Sequence, residues 1–256
     1  MNHRLWIVLS LICAAYLAFW AVMIAATATY TTPLEIWKVI NSREIRYAAL
    51  LSLGTCTVSA LLSVLIAVPV GYLMSRRRFP GHAIVEAALD IPIVLPPMVV
   101  GICLLIFFQT NAGHLIERVV PLTYAIGGVI LAQFVIAAAF AIRTMRGVFD
   151  HLSSRPEDVA MTLGCTRWQA LRHVTLPAAR RGMFAAGSIA WARSLGEFGP
   201  ILVFAGATHM KTEVLPTSVW NAMSTGDLKQ AVAVSLLMIV IAMIVLVAIR
   251  ITGERT

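Results

Sequence analysis

An arginine and a glutamate stand one helical turn apart inside an apolar run of the sequence. Arg193 and Glu197 lie within residues 183–205, and the i,i+4 spacing lets their side chains meet on one helix face. Charges surrounded by hydrocarbon are costly unless they pair or face water. Two interpretations stay open: a gate whose contacts change as a pathway opens, or a static ion pair in a helix bundle. Ser194 stands beside Arg193 and is a further pathway candidate.

Two more carboxylates, Glu86 and Asp90, also lie one turn apart. Protonation of either carboxylate would matter if both lined a pathway, but a path lined by carboxylates would repel an anion. The interpretation we favour places both near the end of an apolar run, where they pair with loop arginines such as Arg76, Arg77 and Arg78.

If these runs line a route and an anion passes through it, hydroxyl-bearing side chains are better candidates than carboxylates for lining that route. Small hydroxyl residues also serve close packing of helices in membranes, and packing is their more common role. The candidates are Thr55, Thr57, Ser59 and Ser63 in the second apolar run and Ser188 in the fifth.

Other chemistry lacks the residues it needs. The sequence has no Gly-x-x-x-x-Gly-Lys-Ser/Thr motif, so the chain cannot hydrolyse ATP by a P-loop route. Its six histidines fall in predicted loops or at the ends of apolar runs, away from any buried nucleophile. Its four cysteines lack the paired spacing of zinc sites. We therefore expect no active site, no metal and no cofactor in this chain.

The composition identifies the environment of these residues. Of 256 residues, 59% are apolar and 12% are charged, with a mean hydropathy of +0.85, whereas soluble domains contain about 25% charged residues. The formal net charge is +8, but the basic residues sit between apolar runs. That pattern is typical of a membrane surface and speaks against nucleic acid as a partner.

Six runs are long enough to cross a bilayer, which takes about 20 mostly apolar residues. A spanning segment satisfies its backbone polar groups internally, so the sequence predicts an all-α integral membrane protein. The first run exceeds the roughly 7–15 residues of a secretory signal, so we expect it to remain uncleaved. Prolines and glycines predict kinks in runs two and three. The six runs are 5–28, 47–74, 84–108, 124–142, 183–205 and 230–249.

The orientation follows from the distribution of lysine and arginine, because cytoplasmic loops carry the excess. With the N-terminus inside, thirteen basic residues lie inside and six outside. Both termini are therefore predicted to be cytoplasmic. The predicted organisation is a first helix and outside loop at 1–44, a core of five helices at 45–250 and a cytoplasmic tail at 251–256.

The longest polar stretch, residues 143–181, is predicted to form two short helices on the cytoplasmic side. Ser154 and Glu157 fit a capping box that begins a helix, and Gly164 can end that helix in the left-handed conformation. A second capping box, Thr166 with Gln169, begins a helix that Pro177 should limit.

Apolar side chains are too frequent here for a solvated loop, so the stretch should face either a partner protein or the lipid surface. These side chains are Val159, Met161, Leu163, Trp168, Leu171 and Val174.

The spacing Asp158-Val159-Ala160, Gly164 and Leu176-Pro177 resembles the EAA loop of permease subunits of ABC-type importers, which seats in a cleft of the ATPase subunit. Asp158 stands where that family usually has Glu, and Val159 where it usually has Ala. The resemblance implies an ATPase-coupling loop whose coupling residues are Glu157, Asp158, Ala160, Gly164, Leu176 and Pro177.

The resemblance covers roughly residues 45–250 and extends to the apolar runs. Residues 91–97 (IPIVLPP) and 192–199 (ARSLGEFG) are similar to permeases for molybdate and sulfate. The Ser-Leu pair before Gly-Glu-Phe-Gly, and Phe204-Ala205-Gly206, are closer to the molybdate/tungstate branch.

The resemblance implies the type I ABC importer permease fold in the inner membrane of a prokaryote. It also implies a non-catalytic, homodimeric permease that imports a tetrahedral oxyanion, with ATP and Mg on two separate ATPase subunits and an extracytoplasmic binding protein delivering the cargo. Pathway candidates are Arg193, Ser194, Glu197, Thr55 and Ser59.

Two alternatives remain beside this hypothesis. A sulfate or thiosulfate importer would share the architecture. A transporter driven by an ion gradient would need no ATPase and would depend on protonation of Glu86, Asp90 or Glu197.

Overall fold

The computed structural model describes the backbone of residues 3–255 and the side chains of residues 5–249 and 251. The predicted inside arginines Arg4, Arg250 and Arg255 have side chains outside the described residues. The regular structure of the described backbone is helical. The helices are α1 His3–Ala28, α2 Pro33–Asn41, α3 Arg43–Arg76, α4 His82–Val94, α5 Pro97–Phe108, α6 Asn111–Glu117, α7 Ile126–His151, α8 Arg155–Thr162, α9 Arg167–Ala170, α10 Leu176–Leu195, α11 Leu215–Ser224 and α12 Leu228–Arg255, with π-helical turns at Leu171–Thr175 and Ile201–Ala205.

Four of the described helices are long and apolar enough to cross a membrane, namely α1, α3, α7 and α12. They correspond to the predicted runs one, two, four and six. Helix α7 continues to His151, beyond the predicted end at residue 142, and α12 continues to Arg255, so the predicted tail is helical up to that residue. Helix α3 passes through Pro69 without an interruption, so run two has no unwound turn there. The kink predicted for run two stays a prediction.

The third predicted run is two helices, α4 and α5, bent by 108°. Pro96 and Pro97 lack amide hydrogens, and a residue before proline is pushed out of the helical region. Leu95 accordingly has extended angles, φ −65° and ψ 140°. The pair forms one broken span or a re-entrant loop, and the interruption predicted from the prolines is confirmed.

The fifth predicted run is also interrupted, so its prediction as one helix over 183–205 is wrong. Helix α10 ends at Leu195 with Gly196 as its cap, and the chain resumes as the π-helical turn Ile201–Ala205 after Pro200. Pro200 has no amide hydrogen, so it cannot donate the helical hydrogen bond to the Gly196 carbonyl. The motif Gly-Glu-Phe-Gly therefore lies at a break between two helical segments.

The core is formed where α3, α7 and α10 pack against one another. Its buried side chains are mostly small, including Ala67, Ala141 and Ala186, as expected where helices approach closely inside a membrane. At Gly71 the approach is tight, because an added Cβ would lie 2.9 Å from the backbone nitrogen of Arg146. In contrast, α1 lies outside the core, since none of its apolar window is buried.

Candidate functional site

The predicted coupling loop is a folded unit between α7 and α10. Helix α8 ends at Thr162, and Gly164 follows its cap with a φ of +95°. The amide of Gly164 donates to the carbonyl of Met161 over 3.1 Å. Only glycine adopts this conformation without steric cost. The second helix begins with the predicted capping box, in which the Gln169 amide donates to Thr166 Oγ1 and the Thr166 amide donates to Gln169 Oε1. The glycine between two helices and the second capping box are confirmed.

The second helix does not stop at Pro177, so that prediction is wrong. Pro177 occupies the first turn of α10, and the chain from Thr166 reaches α10 through α9 and the π-helical turn Leu171–Thr175. Proline is tolerated in the first turn of a helix, where amides need no helical partner. The loop therefore leads into α10 without an irregular segment.

The first capping box is absent from this part of the described chain, because Ser154 has the helical angles φ −77° and ψ −16° instead of extended ones. Glu157, the other half of the predicted box, turns into the protein. Its carboxylate accepts hydrogen bonds from the hydroxyls of Tyr72 and Thr175, the latter over 3.1 Å. Arg76 Nε lies 3.8 Å from Glu157 Oε2. Because these distant residues satisfy the Glu157 carboxylate, it does not cap the start of α8.

The remaining coupling-loop candidates differ in their exposure to solvent. Asp158, Gly164 and Pro177 are exposed, whereas Ala160 and Leu176 are half-buried. Three large apolar side chains are exposed beside them: Val159 at 56%, Leu163 at 81% and Trp168 at 66%. We call this trio the docking face. Exposed apolar clusters of this kind mark contact surfaces.

Arg193 and Glu197 form the ion pair that their spacing predicts, with Arg193 Nη2 3.3 Å from Glu197 Oε2. The Glu197 side chain is 3% exposed and the Arg193 side chain 37%. The guanidinium also lies over the ring of Phe140, 5.0 Å from its centroid. Within the described chain, the buried Oγ of Ser194 has no hydrogen-bond partner.

The hydroxyl candidates lie at helix contacts. Ser59 Oγ on α3 donates to the Ile130 carbonyl on α7 over 3.0 Å, and Thr55 Oγ1 donates to the Leu51 carbonyl over 2.9 Å. Both side chains are buried. The remaining hydroxyls likewise bond to carbonyls of their own helices, namely Thr57, Ser63 and Ser188. These contacts favour the packing role.

Glu86 and Asp90 on α4 form ion pairs, but with arginines other than those predicted. Glu86 accepts a hydrogen bond from Arg146, and Asp90 lies 4.0 Å from Arg143. Residue numbers rise along α4 as they fall along α7, so the two helices present complementary charges as an antiparallel zipper. Pairing with arginines is thus confirmed, but Arg76, one of the examples named from the sequence, is engaged by Glu157 instead.

A charge-swap experiment tests this zipper. We expect Arg146→Glu alone and Glu86→Arg alone each to lower the melting temperature of the purified protein by a few degrees, because each places like charges in contact. The double variant Glu86→Arg with Arg146→Glu should recover most of the loss. Thermal unfolding in detergent measures this, and equal losses in the single and double variants would contradict the zipper.

The segment over 206–229 folds back onto the bundle. The Leu215 amide at the start of α11 donates to Ser52 Oγ on α3 over 2.8 Å. Nearby, the buried carboxylate of Glu213 bonds to His209 Nδ1 at 2.7 Å and to Asn221 Nδ2 at 3.0 Å. The sequence interpretation did not single out Glu213, because Glu213 and its two partners, His209 and Asn221, form no recognisable motif.

Trp220, expected as an interfacial anchor, is 5.4 Å from the ring of Phe198. It therefore links α11 to the Gly-Glu-Phe-Gly break. Among the described residues there is no group of three or more His, Cys, Asp or Glu side chains that could hold a metal ion.

Comparison with known proteins shows the family to which the chain belongs. The family model described as "Binding-protein-dependent transport system inner membrane component" matches residues 67–254. A probable molybdenum ABC transporter permease of Haloferax volcanii is 32% identical, covering 96% of this chain and 89% of its own. The molybdenum transport system permease protein of Mycobacterium tuberculosis is 32% identical, with coverages of 94% and 91%. The sulfate transport system permease protein of Escherichia coli K12 is 28% identical, with coverages of 86% and 81%.

Solved structures share the fold. A bacterial alginate ABC transporter in complex with an alginate-bound periplasmic protein matches with a TM-score of 0.74 at 16% identity, covering 98% of this chain and 95% of that one. An inward-facing methionine ABC transporter matches with a TM-score of 0.62 at 21% identity, with coverages of 84% and 96%. The chain therefore belongs to the inner membrane components of binding-protein-dependent transport systems, the permease subunits of ABC importers.

Proposed function

We propose that this permease imports a tetrahedral oxyanion, most specifically molybdate or tungstate. The support is the naming of its relatives as molybdenum permeases in an archaeon and a mycobacterium and as molybdate/tungstate permeases in Thermococcus kodakarensis, where the identity is 36% over 60% of this chain. Sulfate is the second candidate, favoured by the similarity to the sulfate permease of Escherichia coli.

The observation that carries an ATP-driven mechanism is the docking face of Val159, Leu163 and Trp168. These side chains are exposed on a loop that Glu157 fastens to the bundle. A fixed apolar surface fits a partner protein, because a fixed surface loses little conformational entropy on binding. We infer that an ATPase subunit occupies this face and supplies the ATP and Mg chemistry.

The full complex in this proposal contains two copies of the permease, two ATP-binding cassette subunits and one extracytoplasmic oxyanion-binding protein. The binding protein supplies affinity, and the two permeases form the pathway. ATP binding closes the ATPase pair and shifts the population between inward-open and outward-open states. In this proposal the chain catalyses no reaction itself.

In this proposal the docking face lies in the cytoplasm and both termini lie on that side, as the distribution of lysine and arginine predicts. The coupling loop between α7 and α10 carries the docking face, and we call it the docking loop. It contacts the C-terminal end of α3 through Tyr72, whereas α11 contacts Ser52, which lies nearer the N-terminal end of α3. Helix α3 has 34 residues and spans about 50 Å at 1.5 Å per residue. The loop and α11 thus lie at opposite ends of a spanning helix, as a cytoplasmic and an extracytoplasmic contact would require.

For the pathway, we propose a role for Arg193 and Ser194 at the break beside Glu197. The guanidinium is part-exposed, and the Ser194 hydroxyl is unpaired within the described residues, so both groups retain the capacity to meet an anion. Thr55 and Ser59 are weaker candidates, because their hydroxyls already donate to backbone carbonyls.

Reconstitution tests the proposed function. The permease is co-expressed with candidate ATPase and binding-protein partners, and ATP hydrolysis and uptake are compared for molybdate, tungstate and sulfate. We expect molybdate or tungstate to stimulate both activities.

Stimulation by sulfate alone would identify sulfate as the cargo and leave the proposed subunit architecture unchanged. A stable complex in which none of the three anions stimulates ATP hydrolysis or uptake would refute an oxyanion as the cargo. Uptake without any ATPase would instead support a transporter driven by an ion gradient.

A further inference from the structure

Arg76, the last residue of α3, holds three elements together at the docking-loop end of the bundle. Its Nη1 donates to the carbonyl of Phe149 over 3.0 Å, and its Nη2 donates to the carbonyl of Leu152 over 2.9 Å. Both carbonyls lie at the C-terminal end of α7, where the carbonyls of a helix run out of i+4 amide partners. The Phe149 carbonyl also accepts a bond from the Leu152 amide over 3.3 Å. A guanidinium placed there satisfies the carbonyls and complements the negative end of the helix dipole.

The same side chain reaches the docking loop. Arg76 Nε lies 3.8 Å from Glu157 Oε2 on α8, and the side chains of Arg76 and Glu157 are only 15% and 7% exposed. Within the described chain, Nε has no hydrogen-bond partner, so it faces the carboxylate as a charge rather than as a donor. Arg76 therefore connects α3, the end of α7 and α8 through one rigid group.

Glu157 completes the junction from the other side. Its carboxylate accepts from Tyr72, one turn before Arg76 on α3, and from Thr175 in the π-helical turn that leads into α10. Any displacement of α8 must therefore move the end of α3 and the start of α10 or break charge-assisted hydrogen bonds, which are the stronger kind.

The neighbouring arginines show that this placement is specific. Arg77 and Arg78 are exposed, although they carry the same charge at the same helix end. Only position 76 is one helical turn after Tyr72 and on the side of α3 that faces α7.

We propose that Arg76 and Glu157 form the joint that transmits movement of the docking loop to the spanning helices. Arg76 is a positioning residue, since it acts through α8 and the end of α7 rather than by touching cargo or nucleotide. The transmission part of this inference rests on the proposed ATP-driven function, whereas the positioning part does not.

Hydrogen exchange on the permease alone, in lipid nanodiscs, tests the positioning. In Arg76→Gln the amides of 155–163 should exchange roughly tenfold faster or more, because bonds from a charged donor to two carbonyls are lost. Arg77→Gln is the matched control and should leave these amides unchanged. Arg76→Lys should rescue only partly, because an ammonium cannot reproduce the fork of a guanidinium. Unchanged exchange in Arg76→Gln would overturn the joint, and this measurement needs neither cargo nor ATPase.

Transmission is tested in the complete complex. In Arg76→Gln we expect the ATPase to remain bound and its basal hydrolysis to stay within twofold, while the number of oxyanions imported per ATP falls roughly tenfold, as expected for lost charged hydrogen bonds. A residue that only stabilises the fold would lower assembly, basal hydrolysis and uptake together, and that result would overturn the transmission role. Failure of the oxyanion proposal is seen separately, in the wild-type complex, as absence of stimulation by any oxyanion.

Discussion

Replacing Gly164 by proline is expected to abolish ATP-driven uptake while leaving the permease folded in the membrane. Gly164 has φ +95°, and proline is restricted to φ near −65°. The substitution also removes the amide that donates to the Met161 carbonyl over 3.1 Å. Helix α8 would therefore end differently, and the docking face would lose the relative placement of Leu163 and Trp168 on either side of the glycine.

The expected loss of uptake is more than roughly tenfold, since a forbidden backbone conformation and a lost hydrogen bond together exceed the 1.4 kcal/mol that corresponds to a factor of ten. Uptake and ATPase stimulation in proteoliposomes measure it. Gly164→Ala is the milder variant, because a non-glycine residue in the left-handed region costs only about 1–2 kcal/mol. Among the described residues, apart from the chain neighbours of Gly164, no atom lies within 4 Å of the added Cβ.

Gly226 provides a matched control at the other end of the molecule. Its φ is +81°, and its amide donates to the Met223 carbonyl over 3.1 Å, so it ends α11 in the same way as Gly164 ends α8. Gly226→Ala carries the same backbone cost far from the docking face and should leave stimulation of the ATPase intact. Uptake at the wild-type level in Gly164→Pro would contradict the proposal that this loop docks the ATPase subunit.

Removing Arg193 alone is expected to be more harmful than removing Arg193 and Glu197 together. Arg193→Ala leaves the carboxylate of Glu197, whose side chain is 3% exposed, buried without its partner. Breaking a buried pair costs about 3–5 kcal/mol, and the lower part of that range applies because Arg193 is partly exposed. The double variant to alanine removes both charges and should recover most of the stability.

Thermal unfolding and oxyanion uptake measured on the same preparations separate the two interpretations of this pair. A static pair predicts that the double variant recovers uptake along with stability. A gate predicts that stability recovers while uptake stays more than roughly tenfold below wild type, the size of effect expected when a contact that distinguishes two states is lost. Arg180→Ala, an exposed arginine on the same helix, is the control for loss of charge. Additive losses would contradict a direct interaction between Arg193 and Glu197.

The break beside this pair is what the gate interpretation requires. Gly196 and Pro200 interrupt the helix, and Phe198 between them contacts Trp220 on α11. Glu197 thus lies between the end of α10 and the folded-back segment over 206–229. In the proposed mechanism, a movement of α10 that begins at the docking loop would reach this break along one helix.

The sequence by itself determined the features that depend on residues close together in the chain. Apolar runs of spanning length predicted the membrane helices, and the prolines and glycines of run three predicted the interruption that the structure has before Pro97. Gly164 and the Thr166 capping box predicted the two-helix loop. These features follow from spacings of one to four residues, where backbone geometry alone decides which groups can meet.

Only the tertiary structure decided the partners of the charged side chains. Glu157 fits a local capping box with Ser154, yet it bonds to Tyr72, 85 positions away in the chain. Arg146 pairs with Glu86, 60 positions away. A buried carboxylate takes whichever donors the packed helices bring to it, and no local pattern encodes which helices become neighbours. For that reason Arg76, which belongs to no sequence motif, reaches the proposed joint between α3, α7 and α8 only because of the fold.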